Sequence, residues 1–374
     1  MRVIRKVLSF LLIPLSIVFF TSCTNSSNWN AIKDGKELKI AILASSDEYE
    51  EKSTFLAGVK LAIEDAKGKG YKVSYKIFND GGNFDNGVAM AKEVIKNDEY
   101  KMAFSFQSMD TFDTVAKLFE EAKKPLFAID GADDGTMKKV SKYVFNLQSS
   151  AEALGTSAGQ YAVKKGYKSI AMAHSGNDFE VNFCEGFSDS VDSDSSIMVL
   201  DSVMGPTKEQ EFESVWNRWN ILDVDTVLLS FDNLDWAFEF IKLIKSKNPN
   251  ITIIADPYFN TSSYLEEYKD AAEGMVVPSN YPVDSTSKLN KFYSDYKSKM
   301  SIDPTPLTAQ GFDLINMIVE KMQNNETVDD FVTAMKSNDG YEGITKIKFN
   351  QSGGFERDPN YLIVKNGTIT KADL

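Results

Sequence analysis

The sequence predicts an α/β protein with two lobes, each built on a parallel sheet with helices on both faces. Apolar runs of strand length alternate with segments whose apolar residues recur at helical spacing, the pattern of a helix-covered parallel sheet. The alternation runs twice, before and after about residue 150. The length of 374 residues also exceeds the size at which one core keeps growing, so two domains are expected.

In the first half, Leu38 to Leu43 reads as a strand followed by the loop Ala44 to Glu51. Phe55, Val59, Ala62, Ile63 and Ala66 then mark a helix that Gly68 and Gly70 stop. Val73 to Phe78 is a strand, and Val88 to Ile95 belongs to the next helix. Met102 to Phe106 and Pro125 to Ile129 bracket a helix carrying Val115, Leu118 and Phe119. In the second half, strands at Ser169 to Ala173, Ile197 to Leu200, Thr226 to Ser230 and Thr252 to Ala255 alternate with helices near 151–165, 178–190, 208–220 and 233–247. Helices near 286–299, 306–323 and 327–337 then follow one another directly. Ile344 to Phe349, the turn at 351–354 and Tyr361 to Val364 read as a hairpin, and Asn366-Gly367 as a turn to a last strand.

The first 22 residues read as a signal peptide. Arg2, Arg5 and Lys6 precede an apolar stretch from Val7 to Phe20, and Thr21-Ser22-Cys23 follows as a lipobox. Cleavage there makes Cys23 the acylated N-terminus, an anchor to membrane lipid through chains such as palmitate. Residues 23–36 are then anchor and polar tether. Removing residues 1–22 leaves 38 basic and 54 acidic residues, moving the net charge from −13 to −16. Such acidity opposes nucleic-acid binding. With Cys23 lipidated, Cys184 has no partner for an intrachain disulfide, and its helical apolar setting suits burial.

Several segments in order resemble the branched-chain amino-acid-binding family of type I periplasmic binding proteins, which feed ABC importers. They are the helix Ala57 to Ala66, the turn Phe78-Asn79-Asp80 with its following helix, and Tyr143-Val144-Phe145-Asn146. Glu273-Gly274-Met275-Val276, Ala309 to Leu314 with Phe312-Asp313, and Lys348 to Gly354 complete the set. The resemblance runs from about residue 37 to the C-terminus. It implies two doubly wound lobes joined by three crossovers near 147, 277 and 343. The N-terminal lobe would combine 37–147 with 278–342, and the C-terminal lobe 148–277 with 343–374. It further implies an exported, lipid-anchored monomer that captures an amino acid or related amine by lobe closure, with an ABC permease as partner, no cofactor and no metal.

Ligands of open parallel sheets lie beyond the carboxyl ends of strands, so the loops there supply the candidates. In the first lobe these are 45–49, 107–111 and 130–133, and in the second 175–179, 231–233 and 256–259. Ser108 and Thr111 stand where the resemblance implies carboxylate binding at a helix N-terminus. Gly131 and Asp133 follow in the next loop. Across the cleft stand Phe179, where the family has a tyrosine, Asp232, Tyr258 and Asp256, the last in the loop that meets a ligand ammonium. The excess of carboxylates favours a cationic or multiply hydrogen-bonding ligand. The competing reading makes the same aspartates helix caps.

Other classes find less support. No Gly-x-Ser-x-Gly elbow surrounds any serine, and the sole histidine, His174, reads as a strand-end residue. No cysteine–histidine set suggests zinc, and the acidic stretch Asp47 to Glu51 lacks the spacing of a calcium loop. Apart from transport, a lipid-anchored surface sensor or adhesin could use the same fold.

Overall fold

The computed structural model describes residues 29–46, 53–140, 142–206, 208–279, 286–299, 304–358 and 360–373. The signal peptide, Cys23 and the acidic stretch 47–51 lie outside them.

The first lobe runs β1 (Glu37–Ala44), α1 (Thr54–Gly68), β2 (Lys72–Asn79), α2 (Phe84–Lys96), β3 (Tyr100–Phe106), α3 (Met109–Glu121), β4 (Leu126–Ala128), α4 (Asp134–Lys139) and β5 (Val144–Asn146). Its five strands are parallel in the order β2-β1-β3-β4-β5. The chain then crosses into α5 (Ala151–Lys165), β6 (Ser169–His174), α6 (Asp178–Val191), β7 (Met198–Met204), α7 (Glu209–Ile221) and β8 (Thr226–Ser230). It continues through α8 (Leu234–Lys247), β9 (Thr252–Ala255), a 3-10 turn (Pro257–Phe259), α9 (Ser262–Glu267), α10 (Lys269–Ala272) and β10 (Val276–Ser279). Strands β7-β6-β8-β9-β10 repeat the first sheet's order. Two antiparallel strands, β13 (Asn360–Lys365) and β14 (Thr368–Lys371), extend the sheet beyond β10. Asn366 and Gly367, both at positive φ, make the turn between them, as the Asn-Gly pair predicts.

Between β10 and β13 the chain returns to the first lobe as α11 (Ser287–Lys299), α12 (Pro306–Asn324) and α13 (Val328–Met335). Leu314, Ile318, Phe331 and Met335 share a core with Ile40, Phe104 and Phe145. Each lobe contains one pair of helices in backbone contact at reciprocal glycines. A Cβ on Gly58 of α1 would sit 1.9 Å from the Thr308 carbonyl oxygen, and one on Gly311 of α12 would sit 2.3 Å from that of Phe55. In the second lobe a Cβ on Gly155 of α5 would lie 1.9 Å from the Phe183 oxygen, and one on Gly186 of α6 2.1 Å from that of Glu152. The axes can approach this closely because no side chain intervenes.

Two sequence expectations need correcting. The hairpin expected at 344–364 is absent from the described residues. Instead β11 (Tyr341–Glu342) pairs with β12 (Lys346–Ile347), and a single bridge joins Phe349 to Phe355. Ile347, Phe349 and Phe355 are buried in the first lobe's core, where Phe349 packs on Phe145 at 5.1 Å. The third passage between lobes therefore falls between Phe355 and Tyr361 rather than near 343. The tether also ends early. Trp29, Ala31 and Ile32 are buried in the same core, Trp29 lies 5.4 Å from Phe331, and Asn30 Nδ2 donates to the carbonyl oxygen of Asn325 at 2.8 Å.

Candidate ligand-binding cleft

The two sheets bring the carboxyl ends of their strands to one cavity of about 950 Å³. From the first lobe it is lined by Met109, Asp110 and Asp113 after β3 and by Asp133, Thr136 and Lys139 after β4. From the second come Gly176 to Glu180 after β6, Asp232 and Leu234 after β8, and Tyr258 after β9. In both sheets the strand order reverses beside the first strand of the lobe (β1, β6), where such folds leave a crevice.

Local rules place these groups. Asp133 caps α4: its Oδ1 accepts from Thr136 N at 2.8 Å, and its Oδ2 accepts from the Thr136 hydroxyl. That hydroxyl also lies 2.8 Å from Asp113 Oδ1. Asp113 pairs with Lys117 one helical turn along, and the hydrogen bonds from Lys117 and Thr136 hold its carboxyl below the usual range. Opposite, Asp232 accepts from Ser175 Oγ and from Asn177 Nδ2, both at 2.8 Å. Those bonds, Ser175's foremost, pull its pKa down. Gly176 turns the loop with φ +94°, a conformation L side chains rarely adopt.

Beneath this rim the electrostatics reverse. Glu180, in the first turn of α6, is 3% exposed, and its Oε2 has no hydrogen-bond partner among the described residues. Burial raises its pKa, and the nearby Asp232 and Asp178 charges raise it further. Asp256 is fully buried and accepts from Tyr258 N at 2.7 Å, Ser230 Oγ at 2.8 Å and Phe231 N at 3.2 Å. Desolvation outweighs those bonds and pushes its pKa up to about 7. Phe179 and Tyr258 pack at 4.9 Å as an aromatic wall, with Tyr258 55% exposed. Half-buried His174, at the end of β6, has its pKa lowered by burial, and its Nδ1 is unpartnered among the described residues.

A family model for periplasmic binding proteins matches residues 45–363. The chain belongs to the periplasmic binding protein family. No curated protein sequence matches this periplasmic binding protein. Among solved structures, it is similar to an ABC transporter substrate-binding protein from Desulfitobacterium hafniense in complex with Leu. The two are 16% identical over 90% of this chain and 100% of that one, with a TM-score of 0.74. A putative branched-chain amino acid ABC transporter from Rhodospirillum rubrum gives 14% identity, 90% and 99% coverage and a TM-score of 0.77. A solute binding protein from R. palustris in complex with benzoate gives 16%, 90% and 95%, and 0.65. At these identities the likeness is one of fold.

The family's fold brings Asp133, Phe179, Asp232 and Tyr258 around the cavity. Ser108 is the exposed residue before α3, its Oγ 3.2 Å from Thr111 Oγ1, and Thr111 is buried; neither lines the cavity. Gly131, at φ +107°, packs toward Gln148 instead. Asp256 lies under the cleft and caps the 3-10 turn. The lining residues outside the expected loops are Asp113, Thr136, Lys139, Glu180 and Leu234. All five lie in the helices that follow the loops. Glu180 carried a signal: with Phe183, Cys184, Phe187 and Val191 it forms the buried stripe of α6, so a charge stands where helical spacing calls for an apolar side chain. Among the described residues no cluster of three or more His, Cys, Asp or Glu is arranged to hold a metal ion. None of their helices is long and apolar enough to cross a membrane.

Proposed function

We propose that this protein captures a small polar solute, an amino acid or related amine, by closing its lobes and delivers it to an ABC importer. One observation carries the reading: a cavity lined from both lobes at the carboxyl ends of their strands. Its volume, about 950 Å³, lies near the top of the range of roughly 300–1,000 Å³ for small-molecule sites. Hinge closure would bring both walls onto one solute. The similar structures with Leu or benzoate add support for capture and leave the solute's class to this chain's own residues. A cleft filled by bulky side chains would have favoured a surface sensor or adhesin, and this one is not filled.

Export as a monomer, anchored to a bacterial membrane through lipidated Cys23 and facing the periplasm or cell exterior, completes the proposal. The first experiment is native mass spectrometry of the chain from Thr24 onward, with denaturing release of bound species and a thermal-shift panel of amino acids, polyamines, nucleosides and sugars. The expected result is one stoichiometric small molecule, or a ligand that raises Tm by several degrees. An empty protein with no shift across the panel would overturn the capture reading.

A further inference from the structure

Among the carboxylates around the cleft, most are answered by protein or water. Asp113 has Lys117 and Thr136, Asp133 caps α4, Asp232 has Ser175 and Asn177, and Asp110 and Asp178 are exposed. Glu180 is different. It lines the cavity, is 3% exposed, and carries an oxygen with no partner among the described residues.

Among the described residues, its surroundings provide no neutralising cation. The ionisable groups that act on it or feel it are Asp178, Asp232, Asp256, Cys184 and Tyr258, all acidic. Among the described residues lining the cavity Lys139 alone is basic, and it belongs to the opposite lobe. A buried carboxylate without a counter-charge is unfavourable, so it is expected where an incoming group supplies what is missing. Beside Glu180, Phe179 and Tyr258 form the aromatic wall already described. Aromatic faces attract cations and tolerate the carbon skeleton around them.

We propose that Glu180 recognises a positively charged nitrogen of the ligand, with Phe179 and Tyr258 covering the carbons next to it. The ligand class is an organic primary or secondary amine, and Asp256 buttresses the loop below instead of meeting the ligand. This inference rests on the capture reading above.

Isothermal titration of wild type and Glu180→Gln with L-leucine, L-arginine, putrescine, spermidine and benzoate tests it. The wild type should bind at least one of the four amines and not benzoate. The variant should fold, melt no lower than wild type without ligand, and bind that amine at least 100-fold more weakly. If the amide variant does not fold, Glu180→Asp retracts the same charge by one methylene, and a loss of about tenfold or more is then expected. Unchanged amine affinity in the variant that folds would overturn the role of Glu180 and leave capture standing. So would a wild type that takes benzoate alone. A wild type that binds none of the probes and releases no solute on denaturation would overturn both.

Discussion

The two walls of the cleft use the same side chain in opposite ways. On the first-lobe wall, Asp113 sits at the surface with an ammonium and a hydroxyl for company, and its carboxyl is held below the ordinary range. Under the second-lobe wall, Glu180 and Asp256 are withdrawn from water, and burial raises both. Asp256 is fully hydrogen-bonded and Glu180 is not, yet desolvation is the largest influence on each. Acidity in a sequence therefore does not tell which carboxylate is spent on structure and which is held for a ligand. Glu180 and Asp256 are both buried, and the unmet hydrogen bond is what sets Glu180 apart from Asp256.

The largest effect expected from breaking this comparison is at Asp256. Asp256→Ala orphans the Ser230 hydroxyl and the Phe231 and Tyr258 amides inside the second lobe. Urea unfolding should reveal a loss of about 2–5 kcal/mol, from roughly 1–3 kcal/mol for each buried group left unsatisfied. Normal stability with abolished ligand binding would instead return Asp256 to the site.

Next come the paired glycines. Gly58→Ala and Gly155→Ala each force a methyl into a facing carbonyl oxygen and should destabilise by about 1–3 kcal/mol. Only Gly155→Ala should also weaken ligand binding, because it displaces α6, which carries Phe179 and Glu180. Equal binding in both variants would mean that helix placement does not set the site.

A smaller effect is expected from pH. Native Asp256 keeps its proton to about pH 7, whereas its unfolded form releases it near the ordinary aspartate value of 3.8. Its contribution to stability thus falls as pH rises from about 4 to about 7. Asp113 and Asp232, lowered in the fold, contribute above the ordinary carboxylate range and lose that contribution as pH falls through their depressed values. Melting curves of Asp256→Asn should show a shallower decline between pH 4 and 7, with buried Glu180 among the groups supplying the remainder, and an unaltered profile would show that Asp256 is not a source of it. The smallest change is Lys117→Met, which removes a partly exposed ion pair and should alter stability by only about 0–1 kcal/mol.

The parallel sheets were legible because Thr226–Ser230 and Thr252–Ala255 are short apolar runs between helical patterns, and the structure forms strands at those bounds. The tail was not. Phe349 and Phe355 fit either lobe's core by hydropathy alone, and only the packing assigns them to the first. Trp29 and Ile32 were obscured by the polar residues around them. In the cleft, the loops after β4, β6, β8 and β9 were found from topology. Lys139 and Asp113 were missed because the cavity is also lined from within the following helices, at the end of α4 and in the second turn of α3. Sequence places Asp256 beyond a strand end and does not tell that it lies buried under the cleft.

Hydrogen–deuterium exchange with and without the released solute, or the best binder of the thermal-shift panel, tests lobe capture most directly. The account predicts protection at once in 109–113 and 133–139 of the first lobe and 176–180 and 256–259 of the second. Protection confined to one lobe, or remote from these segments, would contradict it.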